Sequence, residues 1–395
     1  MLVATGSNKV NRRRGLTVVS VGVALLLIMG LAALTVDVGM MYRARGEAQQ
    51  SADAGSMSAA WRLLDQDRLR GADHVENVIL ETRQDGAAVA YENAVVNLSP
   101  VVALNLENDP GGDLVLGRLN RPNDPTEEMS FDGDPADYNA VRVLLRRDGE
   151  RNGPISLYFA SLLGHHEKDI SASATAAFYD GVVGWRVTDK TGNAGLLPFA
   201  LKKSAWEKLL AGELTTGDNF AYDPDTGDVS AGADGILELN LYPGSGEGQL
   251  PPGNFGTVDI GSPDNSTNDI ARQIREGVNE EDLSYFGGTL RLGSDGTLPL
   301  NGDTGLSAGF KDDLASIIGQ PRAIPIFTEV SGPGNNATFT VVGFVGVRIL
   351  SVKLTGPMSG KRVIIQPAYL VDDAVIVGEQ SGQSRYVYQP VVLVR

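Results

Sequence analysis

Three histidines, His74, His165 and His166, and no cysteine are the whole supply of imidazole and thiol ligands in this 395-residue chain. A disulfide framework, a thiolate metal site and a cysteine nucleophile are therefore excluded. So few histidines leave little material for a histidine zinc site or a Ser-His-Asp triad. His165-His166-Glu167 follows Gly164 at an expected helix end, where cationic groups favour the negative pole of the dipole; it reads as a surface cap. Two acidic loops, Asp132-Gly-Asp134-Pro-Ala-Asp137 and Asp223-Pro-Asp225-Thr-Gly-Asp228, offer clustered oxygens of the kind calcium takes. Neither has the glycine and terminal glutamate of an EF-hand, so both read as solvated turns. No Walker loop, Gly-x-Ser-x-Gly elbow or His-Glu-x-x-His occurs. The expectation is a protein without catalytic, metal-binding or cofactor-binding residues, although carboxylate pairs among 49 acids are too many to sort by sequence.

The elements that dominate the sequence are physical. Net charge is −16, yet the first fifteen residues hold Lys9, Arg12, Arg13 and Arg14 and no acid. The acidic excess lies wholly in the remainder, which repels nucleic acid and anionic headgroups. Leu16–Val36 is an uncharged run of 21 residues; at about 1.5 Å per residue it spans roughly 30 Å, the thickness of a bilayer core. Asp37 ends it, because a carboxylate is costly in hydrocarbon. The cluster Arg12-Arg13-Arg14 outweighs Arg43 and Arg45, so the positive-inside rule sets the N-terminus in the cytoplasm and residues 38–395 outside. A buried core helix is rarely so long and uncharged. A cleaved signal peptide usually has a shorter apolar region, and no clean small-x-small cleavage site precedes Asp37. Gly15 precedes the run as a prepilin site requires, but Ser20 stands where pilins carry glutamate.

Residues 37–65 carry no proline and continue as helix. Met40, Ala44, Ala48, Ala52, Gly55 and Ala59 recur in steps of four and three and so share one face. Most of them are small, which lets another backbone approach closely. They form a packing seam, either for a second membrane-anchored helix or for the protein's own body.

The stretch from Arg12 to Ala60 resembles the N-terminal segment of TadG-like proteins of the Tad (Flp pilus) system. The resemblance rests on an arginine cluster and glycine opening a membrane helix, then Val36-Asp37-Val38-Gly39, Tyr42, and Gln50-Ser51-Ala52-Asp53-Ala54. Ser51 and Gly55 depart from it, standing where alanine is usual. A looser likeness extends to Val143–Ala177 and Gly195–Ala200. The resemblance implies an inner-membrane component of pilus assembly with a periplasmic body. Asp264-Asn-Ser266-Thr-Asn268 is similar to a metal motif found in some such proteins, but its second serine is Asn268, and it reads as a helix cap.

The body predicts an α+β fold, mostly β, behind the long helix. Strands are expected at 101–106, 113–119, 141–146 and 170–179, with a short buried helix at Ile155–Leu163 and a loop at 121–138. Beyond a boundary near Asp180–Gly181, strands are expected at 182–188, 196–201, 236–241, 323–330, 338–354, 362–370 and 386–394. Helices are expected after Ser204, after Asp264 or Ser266, and over 306–318, with 217–235 as loop. The domains are then 1–15 (cytoplasmic basic tail), 16–36 (transmembrane), 37–65 (membrane-proximal helix), 66–180 (first exported α+β domain) and 181–395 (second exported β-rich domain).

The functional expectation is a single-pass inner-membrane accessory of Tad/Flp-type pilus assembly, working on the periplasmic side. Its expected partners are other pilus-assembly proteins or pilin-like subunits and, through residues 16–36, the bilayer. A tethered adhesin or surface-layer protein and an envelope enzyme are the alternatives; the enzyme requires a concave pocket with convergent polar groups.

Overall fold

A computed structural model describes residues 12–242, 250–251, 253–261, 266–303, 308–332, 337–378 and 384–394. The fold is α+β as expected, with the strands concentrated behind one long N-terminal helix. That helix, α1, runs unbroken for 51 residues from Arg12 to Arg62. A short 3-10 turn, Gln66–Arg70, opens on Asp65, whose side chain accepts the Asp67 amide. The second helix, α2, spans Ala72–Glu92.

Two compact units share the chain, and neither is continuous in sequence. The first comprises Met1–Ser56, Gly86–Val115 and Arg142–Ala174; the second comprises Met57–Asp85, Leu116–Val141 and Thr175–Arg395. The chain is thus not divided by one cut at 180/181, because residues from both sides of that point share the second unit.

In the first unit α1 meets α2 antiparallel, Ser51 lying by Ala90 and Gly55 by Gly86. Asp113 is buried, and its carboxylate accepts from Arg146 at 2.6 Å, Arg151 at 2.9 Å and the Ala103 amide at 3.0 Å. A buried charge is tolerated because it is paired and its lone pairs are filled. The segment 101–106 is not a strand. Asn105 there has a positive φ of 53° and its amide donates to the Asp109 and Leu114 carbonyls, so a local turn takes the place of a ladder.

The second unit contains a closed ring of five strands. Phe199–Lys202 pairs with Phe255–Val258, that with Leu298–Asp303, that with Ala337–Lys353, that with Pro321–Ser331, and the last with Phe199–Lys202 again. Closure removes exposed edges. Alternation along the strands feeds two apolar clusters: Ala323 and Phe327 with Phe339 and Phe344 in one, Ile324 and Ile326 with Val345 and Val347 in the other. Arg348, on the same long strand as Val345 and Val347, is buried; its guanidinium stacks 3.3 Å from the centre of the Tyr222 ring and donates to the Gly319 carbonyl. Burial pushes its pKa down to about 10.

Several expected elements differ in detail. Ser266 caps the helix Thr267–Glu276 by accepting the Asp269 amide, whereas Asp264 lies outside the described residues. The helix at Lys203–Leu210 starts from Lys202, not Ser204. The expected loop 217–235 holds a hairpin, Phe220–Tyr222 with Val229–Ala231. The helix near 306–318 shortens to Lys311–Ala315 after a 3-10 turn.

Candidate functional site

Among the described residues, one helix is long and apolar enough to cross a membrane, and it is the N-terminal half of α1. Arg12, Arg13, Arg14 and Gly15 lie in its first helical turn. From Val18 to Val36, twelve large apolar side chains are half or more exposed. Leu25, Leu26, Leu27 and Ile28 are consecutive and all exposed; four neighbours cover a whole turn, so this stretch has no buried face. A helix apolar all round finds its match in a hydrophobic solvent rather than in a protein core.

Asp37, the next residue, is only 2% exposed. Its Oδ1 accepts the Tyr158 amide at 2.8 Å, and its Oδ2 accepts the amides of Phe159 at 2.9 Å and Ala160 at 2.6 Å. Burial pushes the carboxyl up, but the amides of Ala160, Tyr158 and Phe159 outweigh it and hold it below its ordinary value. Asp37 is thus a brace as well as a stop. What it holds is the tip of a hairpin in which Ile155–Ser156 pairs with Glu167–Lys168.

This hairpin replaces the short buried helix expected at Ile155–Leu163. Only Ala160–Leu163 is helical, as one 3-10 turn, closed by Gly164 with φ 90°. Nor is it buried: Leu162 and Leu163 are each 82% exposed and Tyr158 is 65% exposed. Capture of three successive amides by Asp37 takes the donors that a longer helix needs.

Further along α1 the seam is occupied from within the chain. Ala44, Ala48, Ala52 and Ala59 are fully buried, Gly55 is buried and Met40 is half-buried. A Cβ on Gly55 would sit 2.8 Å from the Gly86 carbonyl oxygen and 3.2 Å from the Ala90 Cβ. Ser51 donates its hydroxyl to the Ala90 carbonyl at 2.9 Å. The two departures from the alanine pattern therefore have local causes: one removes a methyl where two backbones nearly touch, the other supplies a buried hydrogen bond. Next to them Glu47 accepts the Val96 amide at 2.7 Å and pairs with Arg43 at 2.7 Å. The Val96 amide first, and Arg43 after it, hold the Glu47 carboxyl below its ordinary value against the opposing effect of burial. Val96 itself has φ 49°, uncommon for a β-branched residue and fixed by that contact. In the second unit, beyond Ser56, Arg62 pairs with Glu81 and with Asp65.

The groups that invited metal chemistry serve local structure. Asp134 caps the 3-10 turn Pro135–Asp137, and Asp223 accepts the Asp225 amide of its own turn. His74, His165 and His166 are all exposed. The second unit also holds a cavity of about 290 Å³ lined by Arg68, Arg118, Tyr138, Tyr369, Tyr386 and Tyr388, with Ser384 among its walls. Burial pushes Tyr369 up to about 12 and Tyr388 well above its ordinary value, so both stay protonated. Ser384 Oγ donates to the Val182 carbonyl at 2.7 Å and accepts the Phe344 amide at 3.1 Å, which ties the hydroxyl to the backbone.

Sequence reasoning missed Asp37's second role, Glu47 and the hairpin tip. The apolar run at 155–163 was the visible signal, but its periodicity does not say which side faces out.

Two family models match in tandem. Residues 16–62 match the putative Flp pilus-assembly TadE/G-like model, and residues 58–176 match the putative Tad-like Flp pilus-assembly model. No curated protein and no solved structure matches the chain.

Proposed function

We propose that this protein, whose residues 16–176 match two Flp pilus-assembly family models, is a single-pass accessory of pilus assembly in the bacterial inner membrane. Its N-terminus is cytoplasmic and its acidic body periplasmic. It acts by holding and contacting other pilus components, not by catalysis. One observation carries the reading: the first match lies along a helix whose first half exposes large apolar side chains on every side, and the second takes over at the end of that helix and runs to residue 176.

The charge pattern supports the orientation, since Arg12, Arg13 and Arg14 precede the apolar run and only Arg43 and Arg45 follow it closely. The Ala44–Ala59 stripe is filled internally, which leaves the body and the other faces of α1 to meet pilin-like subunits or assembly proteins. Complementation tests the role. A strain lacking this protein, given a version without residues 16–36, should make no Flp-type pili, whereas the full chain should restore them. Normal piliation from the anchorless version would overturn the proposal.

A further inference from the structure

We infer that the hairpin tip Tyr158–Leu163 inserts into the lipid interface beside the anchor helix, giving the protein a second, shallow membrane contact. The inference rests on the reading that residues 16–36 span a bilayer, and it adds a lipid-binding element that the span itself does not imply.

Height is fixed by Asp37. It is the first residue past the apolar run, and it takes the amides of Tyr158, Phe159 and Ala160 directly. The tip's backbone is therefore level with the point where the helix leaves hydrocarbon. Side chains decide the rest. Tyr158, Phe159, Leu162 and Leu163 all project from this turn into open space. An apolar tip on a braced turn is costly in water and suited to the boundary zone, where aromatic rings and aliphatic chains gather.

Polarity changes along the hairpin in the same sense. Behind the tip, His165, His166, Glu167, Lys168 and Asp169 are all exposed. Apolar residues thus sit at the level of Asp37 and polar ones in the strand leading away, the order that a headgroup layer demands.

The turn is also preorganised. Ser161 Oγ donates to the Tyr158 carbonyl at 2.7 Å, the Gly164 amide to Ser161 at 3.1 Å, and the His165 amide to Ala160 at 3.0 Å. No refolding is needed to present the four side chains. Tyr42, five residues beyond Asp37 and 72% exposed, places one more aromatic about 7 Å further along the helix.

The absence of native cysteine makes the test direct. Full-length chains carrying one cysteine each, L26C, L163C or Y91C, are labelled with a polarity-sensitive fluorophore and reconstituted in phosphatidylcholine–phosphatidylglycerol vesicles. Quenchers are attached to the lipid at shallow and deep positions. Position 26 reports the anchor. Position 91 follows Ala90, which lies beside Ser51, some 20 Å along α1 from Asp37. The expected result is loss of fluorescence at 26 with the deep quencher, loss at 163 with the shallow quencher, and none at 91. Quenching at 26 but not at 163 overturns the tip insertion and leaves the anchor standing. A label at 163 shielded from water yet unquenched by lipid marks burial against a second copy and also overturns it. No quenching at 26 removes the anchor reading, and the insertion with it.

Discussion

The two halves of α1 solve opposite problems with the same backbone. Between Val18 and Val36 the side chains are large, apolar and exposed on all sides. From Ala44 to Ala60 they are small on one face, and that face is fully buried. Large side chains all round give a helix the most contact with a fluid apolar solvent, and no fixed neighbour. Small side chains on one face give it little area but let another backbone come within contact distance. Asp37 marks the change and is itself bonded to the body of the first unit.

Glycines sharpen the comparison because the same residue type occurs in both halves. The largest effect is expected in the anchor. Leu26→Arg places a charge at the centre of the span and should cost about 3 kcal/mol of insertion, read as loss of the chain from carbonate-washed membranes. Gln50→Arg, at an exposed position of the same helix beyond the span, should leave the membrane fraction unchanged.

Next comes Gly55→Leu. It forces a side chain against the Gly86 carbonyl and should destabilise the body by roughly 1–3 kcal/mol in denaturant titrations. Gly30→Leu should have no such effect, because nothing lies within 4 Å of a Cβ built there. Equal loss from both substitutions would erase the distinction between the halves. Ser51→Ala should cost about 1 kcal/mol, the usual worth of one hydrogen bond.

The smallest expected effect is a pH dependence at Glu47. Its pKa is lowered in the folded state, so its contribution is full above the ordinary value of 4.5 and fades as pH falls through the lowered one. Glu47→Gln should flatten the stability profile below pH 4.5 and leave the neutral range little changed in slope.

What could be read from sequence was whatever depends on local spacing. Leu16–Val36 is visible as a run, and Met40 to Ala59 as steps of three and four. Ser266 was visible as a cap because its partner, Asp269, is three residues away. Long-range choices were not visible. Asp37 read as a stop because its charge is local, while the amides it holds are 121 to 123 residues on. Ile155–Leu163 reads as a buried helix by composition, and only the brace makes it an exposed hairpin tip. Val101–Leu106 has strand-like residues, but Asn105 bonds its own turn and no partner strand pairs with it. Ring closure likewise depends on pairs such as Leu201 with Ile326, which no local pattern encodes.

Topology tests the central claim most directly. A reporter active only in the periplasm is fused after Arg395 in one strain and before Leu16 in another. The account predicts activity from the first fusion and none from the second, with the first weakened or reduced in yield when Arg12, Arg13 and Arg14 are replaced by uncharged residues. Activity from the N-terminal fusion and none from the C-terminal one would invert the chain in the membrane and contradict a periplasmic role in pilus assembly.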